Sequence, residues 1–230
     1  MAGDLSKFEE KIGVVFEDKR LLEQAFTHRS YLNENRGLKL SHNERLEFLG
    51  DAVLELAVTD FLYRKYPNQP EGVLTSYRSS LVNAVTLAEI GAEIGLNGHM
   101  LLSRGEAKDT GRARQIILAN AMEAIIGAIY LDQGFKVAEH FIEKHILPRI
   151  GAIVEKGSFI DSKSMFQEKA QEKVGITPSY RTLREIGPDH DKQFTVGLFL
   201  AEDLVVEGSG KSKQDAEQSA AGKALEKMRW

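Results

Sequence analysis

The sequence predicts an all-α domain followed by a small α+β domain of order α-β-β-β-α. Three observations predict this. Up to residue 154, apolar residues recur at three- and four-residue spacing, and no convincing strand interrupts them. From Pro178 onward the pattern shifts toward alternation, in three short runs. Between the two lies a polar, glycine-containing stretch, EKGSFIDS, from Glu155 to Ser162. The expected domains are therefore 1–154 and 161–230, with a linker over 155–160.

Composition narrows the class. The 230 residues are 42% hydrophobic and 28% charged, which is ordinary for a globular chain. There is no cysteine, so disulfides and thiolate metal sites are excluded. The start, MAGDLSKFEEKIG, holds no long apolar run, so neither a signal peptide nor a membrane span is expected and a cytoplasmic location is. The net charge of −4 speaks against a broadly basic nucleic-acid binder. Residues 161–230 hold 11 Lys and Arg against 12 Asp and Glu, which leaves 19 against 22 before them. Any phosphate-binding surface must be local.

Two short helices are expected first, around Leu5, Phe8 and Ile12 and around Leu21 to Phe26, the second ending at Thr27 to Ser30. A loop follows from Asn33 to Lys39. Ser41 to Tyr63 is the central helix, closed by Tyr66-Pro67-Asn68-Gln69-Pro70. Leu46, Leu49, Val53, Leu56 and Ala57 are expected to form its apolar face, and Ser41 with Glu44 fits a capping box. Glu44, Glu47, Asp51 and Glu55 stack along another edge. Like charges at that spacing cost a helix roughly 0.2–0.5 kcal/mol per pair. No Lys or Arg lies in the stripe, so a divalent cation is one candidate for neutralising it. A wet helix face is the bland alternative.

Further helix is expected over Glu71–Ile94. Arg104 to Arg114 (RGEAKDTGRAR) is a basic loop, read either as a solvated connection or as a phosphate contact. Gln115 to Leu131 is a nearly all-apolar core helix, and Val137 to Ile153 closes the domain. Within the core helix Asn120 and Glu123 lie three apart on one face. A buried carboxylate resists leaving water without a partner. If this helix packs on the acidic one, Glu47, Asp51, Asn120 and Glu123 converge as an all-oxygen set suited to Mg²⁺ or Mn²⁺. Gly127 would permit close approach there. The alternative is a polar pair satisfied by backbone or by an Arg such as Arg114.

The second domain begins with a helix over Lys163–Val174. Extended segments follow at Pro178–Leu183, Gln193–Leu200 and Leu204–Gly208, and then an alanine-rich helix over Lys213–Met228. The order describes a three-stranded antiparallel sheet with two helices.

NERLEFLGDAVL (43–54) resembles the signature of the ribonuclease III family, with support from PEGVLTSYRSSLVN (70–83) and RGEAKDTGRARQIILANAMEAIIGAIYLD (104–132). The resemblance covers nearly the whole chain. It implies an all-α endonuclease domain that dimerises through the signature helix and hydrolyses double-stranded RNA with Mg²⁺, for which Mn²⁺ can substitute. It implies 5′-phosphate and 3′-hydroxyl ends and work on ribosomal RNA precursors and other structured transcripts. It assigns Glu47, Asp51 and Glu123 to the metal and its attacking water, with Asp51 and Glu123 as catalytic residues, and Glu44 and Glu71 to substrate handling. The family usually has Asp where this chain has Asn120. An Asn carbonyl can still ligate Mg²⁺, but it brings no charge and cannot act as a base. Phe48 reads either as ordinary core or, by the resemblance, as a contact inserted into a second copy.

SKSMFQEKAQEKVGITPSY, GPDHDKQFTV and GSGKSKQDAEQSAAGKAL resemble a double-stranded RNA-binding domain. Gln167 and Glu168 would meet ribose hydroxyls in a minor groove. The loop Gly187-Pro188-Asp189-His190 would enter the next one, through Pro188 and His190. Lys211, Ser212 and Lys213 open the last helix, where charge and free N–H groups favour phosphate. Gln214 stands where many such domains carry a further Lys. Two readings stay open: a dimeric double-strand-specific endoribonuclease, and a double-stranded RNA-binding regulator with a degenerate nuclease domain.

Overall fold

A computed structural model describes residues 5–156, 162–188 and 192–230. The chain divides into two compact units: Met1–Gln69 with Tyr77–Glu155, and Lys156–Trp230 with the segment Pro70–Ser76. Most of the expected linker, and Asp189 and His190, lie outside the described residues.

The first unit is built on α1 (Leu5–Ile12), α2 (Lys19–Phe26), α3 (Arg29–Glu34), α4 (Glu44–Lys65) and the part of α5 (Glu71–Val82) from Tyr77 onward. α6 (Ala84–Glu93), α7 (Arg112–Gln133), α8 (Phe135–His145) and α9 (Ile150–Lys156) follow. Three departures from the sequence reading have local causes. A third short helix, α3, follows α2, because His28 caps it by accepting from the Ser30 N–H. The stretch 71–94 is two helices, because the Asn83 side chain accepts from the Thr86 N–H and starts a new one. The stretch 137–153 is also two, broken by a 3-10 turn at 147–149 that contains Pro148.

The start of α4 also differs. Asn43, not Ser41, is the N-cap, and no side chain caps the helix, so the expected Ser41–Glu44 box does not form. Asn43 is buried. Its backbone N–H donates to Thr27 O at 2.9 Å and its side-chain amide to Ala25 O at 3.3 Å. Those bonds anchor the start of α4 to the end of α2. Leu46, Gly50, Val53, Leu54, Ala57, Val58 and Leu62 form the buried face of α4, whereas Leu56, expected on it, is 58% exposed.

α7 packs along that face. A Cβ at Gly50 would run into the carbonyl of Glu123, and one at Gly127 into the carbonyl of Leu46. The two helices therefore meet backbone to backbone, which only glycine at both positions allows. By length and composition α7 could cross a bilayer, but 61% of its apolar window is buried inside this unit, as for a core helix. The end of α7 holds the N-terminal segment. The Asp132 carboxylate accepts from the N–H groups of Glu17 and Asp18, each at 2.8 Å, and the Gln133 side chain donates to Val15 O at 2.8 Å.

In the second unit β1 (Ser179–Ile186), β2 (Gln193–Leu200) and β3 (Asp203–Gly210) pair antiparallel in the order β1-β2-β3. α10 (Ser162–Val174) and α11 (Lys213–Met228) complete the unit. Phe166, Ala170, Leu198, Ala220, Ala221 and Ala224 form their common core. The alanines matter for their size: a Cβ at Gly208 on β3 would strike the backbone of Ala216 and Ala220. On the edge strand β3, Lys223 and Lys227 donate to the carbonyls of Glu207 and Val205 at 3.1 and 2.7 Å. Those carbonyls are thus not left open to another strand.

Gly50→Ala is expected to lower stability to urea by about 3 kcal/mol, because two helix backbones must separate to admit one methyl group. Gly37→Ala, with nothing within 4 Å of the added carbon, should stay within about 0.5 kcal/mol of the parent.

Candidate metal centre and nucleic-acid interface

The acidic stripe of α4 is not uniform. At one end the Arg29 guanidinium lies 3.3 Å from Glu44 Oε1, with His42 Nδ1 at 3.7 Å from the other oxygen. Towards the other end Arg78 Nε lies 2.9 Å from Glu55 Oε2, and Arg78 Nη1 donates to Thr59 Oγ1 at 3.0 Å. Glu55 is therefore half of an ion pair. Glu47 and Asp51, between these ends, have no cationic partner among the described residues.

α7 brings more charge to this gap. The glycine contacts set Glu123 against α4 beside Glu47 and Asp51. Burial, then the Asp51 and Glu47 charges, push the Glu123 carboxyl up to about 7. Glu47 is raised as well, by burial first and then by the charges of Glu44 and Asp51. A hydrogen bond from the Asn120 amide opposes that rise. Arg114, the alternative partner considered for Asn120 and Glu123, donates instead to Asn97 Oδ1 at 2.9 Å.

The donor set fits a hard divalent cation: three carboxylates and one carboxamide, two of the acids raised in pKa by burial first and then by neighbouring carboxylates. Among the described residues, no three His, Cys, Asp or Glu side chains close around a common point as they stand. Electrostatic coupling links Glu123 to Asp51 and Glu47, and Glu47 to Asp51.

Glu71 opens α5, is exposed and accepts from Thr75 Oγ1 at 2.9 Å. Phe48 is 82% exposed, so the ordinary-core reading fails. Leu56 and Tyr63 are also exposed, at 58% and 73%, and with Phe48 they make an apolar strip along α4.

The basic loop before α7 is anchored. Arg104 N–H donates to Glu34 Oε2 at 3.2 Å, and Asp109 accepts from the Gly111 N–H at 2.7 Å. Arg104, Lys108 and Arg112 are exposed and pair with no acid among the described residues. In the second unit Gln167 and Glu168 are exposed on α10, and Pro188 is exposed just beyond β1. Lys211, Ser212 and Lys213 are exposed where α11 begins. Ser212 is committed to a capping box: its Oγ accepts from Asp215 N–H at 3.1 Å, and Asp215 accepts from Ser212 N–H at 3.2 Å. Lys213 Nζ lies 5.9 Å from the centre of the Phe194 ring.

A helical unit with acids that lack cationic partners among the described residues, followed by an α-β-β-β-α unit with exposed lysines at a helix start, fits a nuclease joined to a nucleic-acid-binding module. Comparison with known proteins agrees. The Ribonuclease-III-like family model matches residues 18–150, and the double-stranded RNA binding motif matches 162–228. Ribonuclease 3 of Borreliella burgdorferi is 48% identical over 97% of this chain and 91% of its own. Ribonuclease 3 of Enterococcus faecalis is 46% identical over 97% and 96%. A solved nuclease domain of ribonuclease III from Campylobacter jejuni covers 62% of this chain and 96% of its own, with a TM-score of 0.57 and 40% identity. The chain belongs to the ribonuclease III family of endoribonucleases.

Arg29, Arg78 and Gly50 are the contributors that the sequence reading missed. Both arginines reach α4 from other helices and carry no spacing signal, and Gly50 reads as an isolated helix glycine.

A folded-state pKa raised from 4.5 to about 7 means that Glu123 favours the folded state fully below about pH 4.5, and that this contribution is lost as pH rises through about 7. In EDTA the parent should therefore lose stability relative to Glu123→Gln between those limits. Discounted for partial exposure, the difference is about 1–2 kcal/mol by thermal melting. Excess Mg²⁺ should abolish the difference in slope.

Proposed function

We propose that this chain is a homodimeric, divalent-metal-dependent endoribonuclease that cuts double-stranded RNA to 5′-phosphate and 3′-hydroxyl ends. Ribosomal RNA precursors and other structured transcripts are its expected substrates, and the cytoplasm is its expected location. The observation that supports this is the coupling of Glu123 to Asp51 and Glu47, none of which has a cationic partner among the described residues.

A divalent cation bound there would polarise the scissile phosphate and lower the pKa of a water. The chain's own residues set the conditions for it. Glu47, Asp51, Asn120 and Glu123 supply only oxygen ligands, which selects Mg²⁺ or Mn²⁺ over softer ions. Asn120, by its hydrogen bond, orients Glu47. A proton on Glu123 competes with the cation near neutral pH. In the hydrolysis, water oxygen bonds to phosphorus, the bond from phosphorus to O3′ breaks, and O3′ takes the proton. Glu44 and Glu71 are assigned to substrate handling. In the second domain, over 161–230, Gln167, Glu168, Pro188, His190, Lys211, Ser212 and Lys213 are assigned to A-form RNA, recognised by shape. Gln214 and the carboxylate of Asp215 make this helix start a weaker phosphate site than a run of lysines would. The loop from Arg104 to Arg112 offers three more unpaired cations to phosphate.

Each acidic centre cuts one strand, and a two-fold dimer supplies the second. The exposed Phe48, Leu56 and Tyr63 support α4 as the interface. The C. jejuni nuclease domain has a structurally flexible region involved in dimer formation.

Cleavage of a duplex RNA should require Mg²⁺ or Mn²⁺, and Glu123→Ala should slow it by about 10²-fold or more. A parent that binds duplex but cuts with neither ion would support the binding-only regulator instead. Asn120→Asp should tighten Mg²⁺ binding and narrow the preference for Mn²⁺, and identical metal titrations would count against a ligand role for Asn120. By sedimentation, Phe48→Ala should weaken the dimer by about ten-fold or more.

A further inference from the structure

Three polar side chains near the start of α3 form a relay. The Ser30 N–H donates to His28 Nδ1 at 3.3 Å, so that nitrogen carries no proton. The 2.8 Å contact between Ser30 Oγ and the same nitrogen is then a hydrogen bond in which the hydroxyl donates. With its proton committed, Ser30 Oγ serves as acceptor for the Ser103 N–H at 3.1 Å. Ser103 in turn holds the next residues, since its Oγ accepts from the Glu106 N–H at 3.2 Å. A second tether runs beside it, from the Arg104 N–H to Glu34 Oε2 at the other end of α3. The isolated bridge between Thr27 and Leu101 brings the two segments together.

We propose that His28, acting through Ser30, is a positioning residue that holds the 103–112 loop in place for its contact with RNA phosphate. The proposal rests on the reading above that Arg104, Lys108 and Arg112 meet the substrate backbone. The neutral imidazole is the working form. Burial lowers the His28 pKa, Arg29 and His42 act in the same direction, and Glu106 and Glu44 oppose. Protonation at Nδ1 would set two N–H donors against each other, uncap α3 and loosen the helix that carries both tethers.

Hydrogen–deuterium exchange on the full chain, with duplex cleavage kinetics, tests this. In Ser30→Ala and His28→Ala the amides of 103–106 should exchange about five-fold faster, the size of one lost hydrogen bond, while those of α4 and α7 stay as in the parent. KM for duplex should rise by about the same factor, with kcat within about two-fold. His28→Asn restores an acceptor at the position of Nδ1 and should rescue both readouts. Corrected for intrinsic exchange rates, protection of 103–106 should hold in the parent down to the ordinary imidazole value of 6.5, fall as pH drops below it, and not fall in His28→Asn. Unchanged exchange in Ser30→Ala, or no rescue by His28→Asn, overturns the proposal. Failure of the phosphate-contact reading shows differently: Arg104→Ala and Lys108→Ala would leave KM unchanged while exchange still separated the Ser30 and His28 variants.

Discussion

The backbones of α4 and α7 meet where Gly50 faces the carbonyl of Glu123 and Gly127 faces that of Leu46. That contact sets most of what matters in the first unit. A side chain at either glycine would push the helices apart, and the acids they carry would lose their common neighbourhood. With the backbones in contact, Glu123 leaves an otherwise apolar helix beside Glu47 and Asp51, and its carboxyl holds a proton to about pH 7. The packing that stabilises the unit thus also creates its electrostatic frustration. Frustration of this kind marks functional centres more often than structural ones.

The rest of the stripe shows how the protein confines that frustration. Arg29 answers Glu44 and Arg78 answers Glu55, so charge is compensated at the ends and left open in the middle. Asn120 belongs to the same economy. As an amide it gives Glu47 a hydrogen bond without adding a fourth negative charge. The metal-free centre is thereby less repulsive than a four-carboxylate set, and its pull on a cation is correspondingly weaker.

The second unit solves a different problem. Its core is small, and it gains depth by pressing an alanine face of α11 onto the glycine of an edge strand. Lys223 and Lys227 cover that strand's carbonyls, so some of the positive charge on α11 serves the fold. Lys211 and Lys213 stay exposed at the helix start, where free N–H groups add to their field. The modest charge of this unit therefore does not measure its fitness for RNA, because position carries more than the sum.

By itself the sequence determined the two architectures and the bounds of β2 and α11, and it singled out Glu47, Asp51 and Glu123 as candidates. Each of these rests on short-range periodicity, or on a charged residue in an apolar run, and both are local signals. The tertiary structure decided the roles that depend on distant partners. It separated Glu44 and Glu55 from the open pair, because Arg29 and Arg78 arrive from other helices. It buried Asn43 and dissolved the Ser41 cap, because the end of α2 supplies better acceptors. It left Phe48, Leu56 and Tyr63 bare, because the face of α4 that meets α7 is chosen by Gly50. Spacing along one helix can say which residues share a side, but only packing says which side is inside.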